Sequence, residues 1–180
     1  AAQRAHYLPR MASGEIIGSF ALTEPDAGSD SGAVKTSARR DGDWFVLNGT
    51  KRYITNAPRA QVFTVFARTN PAESGARGVT AFLVDANTPG ISLGKPYRKM
   101  GQQGAHVCDV IFEDCRVPAD AILGGMERLN RGFESAMKTL DRGRLHISAL
   151  AVGCANRLID ESLRFARDRK QFGQPIAQFQ

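Results

Sequence analysis

Two short segments contain the residue types best suited to binding a ligand. Residues 23–30 (TEPDAGSD) place hydroxyl and carboxylate groups around a proline, and Gly28 permits a positive φ. Residues 53–56 (YITN) put Tyr53 and Thr55 on one face of a strand, because side chains alternate along it. Taken singly, the first is most often a capped loop and the second is packing beside a surface threonine. Paired, they predict a sheet edge that offers N–H groups and hydroxyls to a planar, phosphate-bearing ligand such as a flavin.

The elements that position these segments are short strands between residue 16 and about residue 118. Runs rich in β-branched and aromatic residues alternate there with turn residues. They cover residues 16–22, 34–40, 44–47, 51–55, 61–69, 78–85 and 107–112. Asp41-Gly42 predicts a tight hairpin, and Asn48-Gly49 predicts either a second turn or a bulge. Because no helical pattern separates the strands, we predict an antiparallel β-barrel or sandwich.

The pattern changes after residue 125. Apolar residues then recur with a helical period from Phe133 to Phe165, which predicts one long helix or two helices in line. An amphipathic helix of this length exposes an apolar face on its own, so we expect the rest of a helical bundle outside these 180 residues or on another subunit. The predicted fold class is an α+β fragment. It has a β-domain over residues 1–125, with a short lead-in at 1–13, and the start of an α-helical bundle domain over residues 126–180.

Composition narrows the classes of function. The chain has 180 residues and a net charge of +6, but its basic residues are spread along the sequence, so we expect no nucleic-acid partner. We expect no membrane insertion and no metal site, because the sequence lacks long apolar runs and metal-ligand spacing of Cys and His. The densest basic group favours equally a solvated helix end and a phosphate site. It comprises Arg164, Arg167, Arg169 and Lys170.

Five stretches resemble the acyl-CoA dehydrogenase family and occur in the family's order. They are residues 23–30 (TEPDAGSD), 48–56 (NGTKRYITN), 99–101 (KMG), 110–118 (VIFEDCRVP) and 169–173 (RKQFG). The resemblance covers nearly all of the chain from about residue 8. It implies the middle β-domain and the first part of the C-terminal helical domain. It further implies FAD as the cofactor, with the flavin ring between the β-domain and the helical bundle.

The resemblance also implies which residues contact FAD. Backbone groups near Leu22 and Thr23 would bind the pyrimidine edge, and Tyr53 would lie beside the isoalloxazine, where the family often has Trp. The Thr55 hydroxyl would lie near N5, the atom that receives hydride. Arg169 resembles an arginine that reaches the FAD of a neighbouring subunit, which implies a homodimer or homotetramer. The full implied set is Phe20, Leu22, Thr23, Gly28, Ser29, Tyr53, Ile54, Thr55, Arg169, Phe172 and Gln180.

The implied reaction is the α,β-desaturation of an acyl-CoA thioester. A carboxylate removes the α proton, and hydride passes from the β carbon to flavin N5. The base is a glutamate in this family, and some members place it where this chain has Gly143. Glu134 and Glu161 match no family base position. We therefore assign no catalytic residue within the chain and expect the base beyond residue 180.

Ser29, Asp141 and Arg144 are the substrate-binding residues that the resemblance implies. Asp141 and Arg144 also have the spacing of a surface ion pair on a helix. The implied partners are an acyl-CoA substrate and an electron-transferring flavoprotein, in the bacterial cytoplasm or the mitochondrial matrix. Two alternatives stay open: an acyl-CoA oxidase-like flavoenzyme, and a non-catalytic β-domain that binds FAD or acyl-CoA. Because half of the flavin site and the base are expected elsewhere, we predict that these 180 residues alone retain FAD poorly and are inactive.

Overall fold

The computed structural model describes residues 2–179 and divides into two compact units. The first extends to residue 136 and contains the β-domain, and the second begins at residue 137. The elements of the first unit are α1 (Ala2–Ala12), β1 (Gly18–Ala21), β2 (Ser37–Asp41), β3 (Trp44–Thr55), β4 (Val62–Arg68), β5 (Val79–Asp85), β6 (Ile91–Leu93) and β7 (Val107–Pro118). Helix α2 (Gly132–Asp168) begins in the first unit, and the strands β8 (Lys170–Gln171) and β9 (Gln174–Pro175) follow it.

Strands β1 to β7 form one mixed sheet. Their order is β1-β4-β2-β3-β7-β6, and β5 also pairs with β4. Strands β1 and β2 run parallel to β4, whereas the other pairs are antiparallel. The predicted β-domain followed by a long helix is confirmed, but the sheet is mixed and not purely antiparallel. Alternating apolar residues predict a strand but not the direction in which it runs. The chain between β1 and β4 forms β2 and β3, and a connection of this length allows β1 and β4 to run parallel, which a tight turn does not.

Strand β3 is continuous where the sequence pattern suggested two strands. The predicted hairpin at Asp41-Gly42 is confirmed and joins β2 to β3. At Asn48-Gly49 the predicted bulge is present and not a turn, because the pairing with β7 shifts after Leu47 and then continues, with the extra residue on β7. A bulge bends a strand and re-aims the side chains that follow it. The second predicted ligand segment therefore lies at the end of a long, irregular strand.

The core of the first unit lies on one face of this sheet. Phenylalanines from several strands meet there, and the ring centroids of Phe45 and Phe82 are 5.3 Å apart. The same cluster includes Ala21 of β1 and Ile54 of β3, both almost fully buried. These two residues lie at the ends of the strands that carry the predicted ligand segments. The packed core therefore fixes the backbone of both segments.

The second unit consists of most of α2 and the β8–β9 hairpin. Helix α2 has 37 residues in total, so of the two predicted alternatives the structure has one long helix and not two helices in line. Many of its apolar side chains are exposed. They include Leu145, Ile147, Leu150, Val152, Leu158, Ile159, Leu163 and Phe165. Among residues 2–179, no helix is long and apolar enough to cross a membrane.

Candidate flavin-binding site

The two segments predicted to form the ligand site lie side by side. Three hydrogen bonds connect the chain around β1 to strand β3. They run from Ser19 Oγ to the Thr55 carbonyl (2.6 Å), from Lys51 Nζ to the Leu22 carbonyl (3.0 Å) and from Arg52 N–H to the Thr23 carbonyl (2.8 Å). The structure therefore brings residues 20–23 next to residues 53–55.

A buried ion pair fixes this arrangement. Lys51 Nζ lies 2.7 Å from Glu24 Oε1, and the Glu24 carboxylate also accepts the backbone N–H groups of Lys35 (2.6 Å) and Thr36 (2.9 Å). Burial lowers the pKa of Lys51 to about 8, although the Glu24 carboxylate opposes that shift. Burial acts to raise the pKa of Glu24, but Lys51 and the hydrogen bonds outweigh it, so this pKa lies below its ordinary value. Both groups are therefore charged at neutral pH, and they hold the start of the TEPDAGSD segment against β3.

The segment after Glu24 turns tightly and then becomes exposed. Glu24 N–H donates to the Ala27 carbonyl at 2.9 Å, and Ala27 N–H donates to the Glu24 carbonyl at 3.3 Å. Gly28 does not use the positive φ that a glycine permits, since it is not among the residues with positive φ. A Cβ built at Gly28 meets nothing within 4 Å. The glycine therefore leaves open space beside the exposed Ser29, where an anionic group can approach the backbone.

Arg68 braces the chain that follows Ser29. Its guanidinium donates five hydrogen bonds to backbone carbonyls at distances between 2.8 and 3.1 Å. The acceptors are Gly32, Val34, Glu73, Gly75 and Arg77. Because the guanidinium holds its donors in a rigid fork, this one side chain ties residues 32–34 to residues 73–77.

Tyr53 lies in a bulge of β3, which is the second irregularity of the β3–β7 pair. Two residues, Arg52 and Tyr53, oppose the single residue Asp109 of β7. Tyr53 has a φ of 58°, which is rare for an aromatic residue. Its side chain is 60% exposed and Thr55 is exposed, whereas Ile54 between them is buried. The prediction that Tyr53 and Thr55 share a face is therefore confirmed.

A groove of about 940 Å³ lies beside β1 in the first unit. Phe20 lines this groove, and its ring packs against Phe66 with a centroid separation of 4.9 Å. Other apolar side chains of the wall are those of Leu8, Met11, Leu83 and Leu123. Phe20 therefore faces a groove and not the core, so that a ligand can reach its ring.

The candidate residues of the second unit lie at the end of α2 and on the hairpin after it. Phe172 and Gly173 have φ angles of 51° and 82°, the left-handed pair that a two-residue hairpin turn requires. Phe172 is 94% exposed and contacts the Phe179 ring edge-on at 6.1 Å. Arg169 is exposed directly after the last helical residue. Gln180 lies outside the described residues.

Three carboxylates of α2 are paired with arginines. Asp141 forms an ion pair with Arg144, and Glu161 pairs with an arginine on each side along the helix. Glu134 lies 2.8 Å from Arg131, and the hydrogen bond from Arg131 lowers the pKa of Glu134. A carboxylate stabilised in its charged form is a weaker proton acceptor. The lowered pKa of Glu134 agrees with assigning no base there, and Glu161 is paired with two arginines.

Two family models match the chain. The model described as "Acyl-CoA dehydrogenase, middle domain" matches residues 19–115, and the model described as "Acyl-CoA dehydrogenase, C-terminal domain" matches residues 130–180. The chain belongs to the acyl-CoA dehydrogenase family. The resemblance drawn from its motifs is therefore confirmed.

Similar proteins in this family share nearly the whole chain. The 3-(aryl)acrylate reductase of Clostridium sporogenes is 48% identical over 99% of this chain and 46% of its own length. The human mitochondrial short-chain specific acyl-CoA dehydrogenase is 46% identical over 99% of this chain and 42% of its own length. The crystal structure of the prolyl acyl carrier protein oxidase AnaB has a TM-score of 0.92 and 42% identity, covering 99% of this chain and 46% of AnaB. The chain thus spans about half the length of the relatives it matches.

The residues of this acyl-CoA dehydrogenase middle domain fit a flavin nucleotide. The exposed ring of Tyr53 and the exposed Thr55 present a flat surface and a hydroxyl on one face. The open space at Gly28 suits a phosphate group, which needs close approach to peptide N–H groups. Arg52 Nε is buried and makes no hydrogen bond among the described residues, although it lies within ion-pair distance of Asp109 Oδ2. The site therefore offers an aromatic face, a hydroxyl and a cationic side chain close together.

Three residues that support the site in this middle domain were not predicted from the sequence. They are Glu24, Lys51 and Arg68. Lys51 comes four residues after the buried Leu47 in β3. Because side chains an even number of residues apart lie on the same face of a strand, this spacing is a signal that Lys51 points inward. Its partner Glu24 lies in a motif whose polar residues suggested solvent or ligand contacts. For Arg68, at the end of β4, the sequence carries no signal of the five carbonyls that converge on it.

Proposed function

We propose that the protein containing this chain is an FAD-dependent acyl-CoA dehydrogenase, which desaturates an acyl-CoA thioester between the α and β carbons. The observation that carries the proposal is the Lys51–Glu24 pair, which sets residues 20–30 against Tyr53 and Thr55 in a member of this family. FAD, when bound, supplies the hydride acceptor. The glutamate base is proposed to lie outside these residues.

The β3 side of the site would bind and orient the flavin ring. Tyr53 would cover part of the ring surface, and the Thr55 hydroxyl would donate to the ring nitrogen that receives hydride. The peptide groups of Leu22 and Thr23 would hold the polar edge of the ring. Ile54 would act through the backbone, because its buried side chain fixes the peptide between Tyr53 and Thr55.

The turn side of the site would bind the phosphates. Gly28 and Ser29 are exposed and open to an anion, while Phe20 would contact the cofactor from its groove. Ser29 would also border the acyl-CoA. Arg68 would support these contacts by holding the neighbouring loops. We further propose that the middle domain ends at residue 125 and the helical domain begins at residue 126.

Arg169 and Phe172 would complete the FAD site of a second subunit in a homodimer or homotetramer. Phe172 is 94% exposed, so its ring gains little from packing within its own hairpin, which supports a contact elsewhere for Phe172. The Arg169 guanidinium suits a pyrophosphate because its planar fork matches phosphate oxygens. Gln180 would belong to the same shared site.

The substrate would be an acyl-CoA thioester, with Asp141 and Arg144 in the wall near it. Reduced flavin would pass its electrons to an electron-transferring flavoprotein. A bacterial and a human mitochondrial relative support a location in the bacterial cytoplasm or the mitochondrial matrix.

Thr55→Val in the full-length protein tests the proposal, because it removes the hydroxyl and keeps the side-chain shape. We expect anaerobic reduction of bound FAD by acyl-CoA thioesters of several chain lengths to slow by about ten- to hundredfold, as one lost hydrogen bond to a developing charge costs ~1.5–3 kcal/mol. Thr50→Val on the same strand is the matched control, since Thr50 pairs with Ile111 away from the site. A purified protein that holds no FAD, or FAD that no thioester reduces, would contradict the proposal.

An acyl-CoA oxidase is a second candidate function. The likeness to AnaB, an oxidase that matches 99% of this chain with a TM-score of 0.92, favours keeping it. After anaerobic reduction, the reduced protein would be mixed either with oxygen or with an electron-transferring flavoprotein. Faster reoxidation by oxygen would favour the oxidase over the dehydrogenase.

A further inference from the structure

A cluster of three side chains surrounds Tyr53 in the first unit, namely those of Arg52, Tyr97 and Asp109. The Tyr53 and Tyr97 rings have centroids 5.0 Å apart and planes inclined by 50°. The Arg52 guanidinium lies 6.0 Å from the Tyr53 ring centroid. Tyr97 belongs to the chain between β6 and β7, so this contact brings a second, separate segment to the bulge that carries Tyr53.

Asp109 is the common anchor of this cluster. Its Oδ1 accepts the Tyr97 hydroxyl at 2.9 Å and lies 3.4 Å from Tyr53 N, while its Oδ2 lies 3.5 Å from Arg52 Nε. The Asp109 side chain is 19% exposed, so it is largely shielded from water. The Tyr97 backbone is fixed as well, because Tyr97 N–H donates to the Val107 carbonyl at 2.8 Å.

The conformation of Tyr53 needs such support. A bulky residue at a φ of 58° is strained and persists where its surroundings hold it. The Tyr53 ring is 60% exposed, so the core does not hold it. The contacts that remain are the Tyr97 ring, the Asp109 carboxylate and the Arg52 guanidinium, and each of them acts on the bulge or on the ring itself.

We propose that Tyr97 and Asp109 are positioning residues of the flavin site. Asp109 fixes the Tyr97 phenol, and the Tyr97 ring then fixes the angle at which Tyr53 meets the flavin. A phenol offers less surface than an indole, and the Tyr97 ring packed beside Tyr53 extends the aromatic wall. This inference rests on the proposed function, because it assigns support residues to the same FAD site.

The test compares FAD binding to the full-length apoprotein of the parent and of variants by flavin fluorescence titration. Tyr97→Phe keeps the ring and loses the hydrogen bond to Asp109. Tyr97→Leu loses the ring as well. We expect the Kd for FAD to rise about two- to tenfold with Leu and less with Phe, together with a changed visible circular dichroism spectrum of the bound flavin. Thr88→Val is the control for the loss of a hydroxyl, since Thr88 Oγ1 donates to the Asp85 carbonyl at 2.7 Å in the same unit, and it should change neither readout.

A role in positioning Tyr53 also predicts non-additivity. In a Tyr53→Ala background, Tyr97→Leu should have no further effect on the Kd or on the spectrum, because the ring that it orients is gone. Parental Kd and spectrum in both Tyr97 variants, with FAD bound by the parent, would overturn this inference and leave the proposed function standing. A second full effect in the Tyr53→Ala background would also overturn it. A parent protein that binds no FAD would overturn both.

Discussion

Replacing Lys51 with methionine would remove the ammonium of the buried pair and keep an unbranched side chain. The Glu24 carboxylate would stay buried, with the N–H groups of Lys35 and Thr36 as its partners, and the Leu22 carbonyl would lose the Lys51 donor. Removing one partner of a buried ion pair costs about 3–5 kcal/mol, because the other charge stays desolvated. Since domains have only ~5–15 kcal/mol of stability, we expect a large loss in the free energy of unfolding.

Lys35→Met is the matched control for this substitution. Lys35 Nζ pairs with Asp26 at 3.1 Å on the same turn, but the two side chains are 74% and 71% exposed. An exposed pair contributes less than about 1 kcal/mol, because water and salt screen it. Both variants replace a lysine with methionine in the same region of the fold. Their difference therefore isolates the effect of burial.

Chemical denaturation of the full-length protein measures the loss, and hydrogen exchange locates it. We expect Lys51→Met to increase exchange in peptides spanning residues 20–30 and 50–56, whereas Lys35→Met leaves both protected. The double variant Lys51→Met/Glu24→Gln should recover part of the lost stability, because no buried charge then lacks its partner. Equal stability and equal exchange for Lys51→Met and Lys35→Met would refute the reasoning that this pair joins the two segments.

Two further perturbations test the packing around the site. Tyr7 donates to Asp85 at 3.1 Å, and burial together with this carboxylate raises the pKa of Tyr7 from 10.0 to about 12. The folded chain thus holds this proton more tightly than the unfolded chain, so the stabilisation is complete below pH 10 and is lost as the pH rises toward 12. Tyrosinate absorbance compared with Tyr7→Phe should show this late transition, and its absence would contradict the assignment. Gly49→Ala places a Cβ 2.6 Å from Thr36 Oγ1, whereas at Gly42 a Cβ meets nothing within 4 Å, so denaturation should show Gly49→Ala to be about 1–3 kcal/mol more destabilising than Gly42→Ala.

Helix α1 shows why part of the fold escaped prediction. The sequence predicted only a short lead-in over residues 1–13, whereas the structure has α1 over residues 2–12 with Pro9 inside the helix. In the structure, contacts with the rest of the first unit support the helix. Gln3 Nε2 donates to the Ile122 carbonyl at 2.9 Å, and Tyr7 reaches Asp85. Tertiary contacts of this kind override local propensity and leave no trace in the periodicity of the sequence.

In the candidate site, too, features set by local sequence pattern were predicted, whereas features set by tertiary contacts were not. Alternation along β3 predicted that Tyr53 and Thr55 share a face, because a period of two depends only on local geometry. The burial of Lys51 was not predicted, since a charged residue is expected in solvent unless its partner is known. Glu24, that partner, comes from a segment 27 positions earlier in the chain. The positive φ that a glycine would permit at Gly28 is absent there, whereas Tyr53 and Asn56 have it.

The two bulges of the β3–β7 pair explain how a buried lysine and an exposed tyrosine occur so close together. The first bulge adds a residue to β7 and the second adds one to β3, so the original register returns at Ile54. In a regular strand with Lys51 pointing inward, Tyr53 would also point inward and Ile54 would face solvent. The extra residue at Arg52-Tyr53 lets Lys51 reach Glu24 and lets Ile54 join the core, while Tyr53 turns outward. The strain at Tyr53 is therefore a consequence of placing both inward residues correctly, and it leaves an aromatic ring exposed where the flavin is proposed to bind.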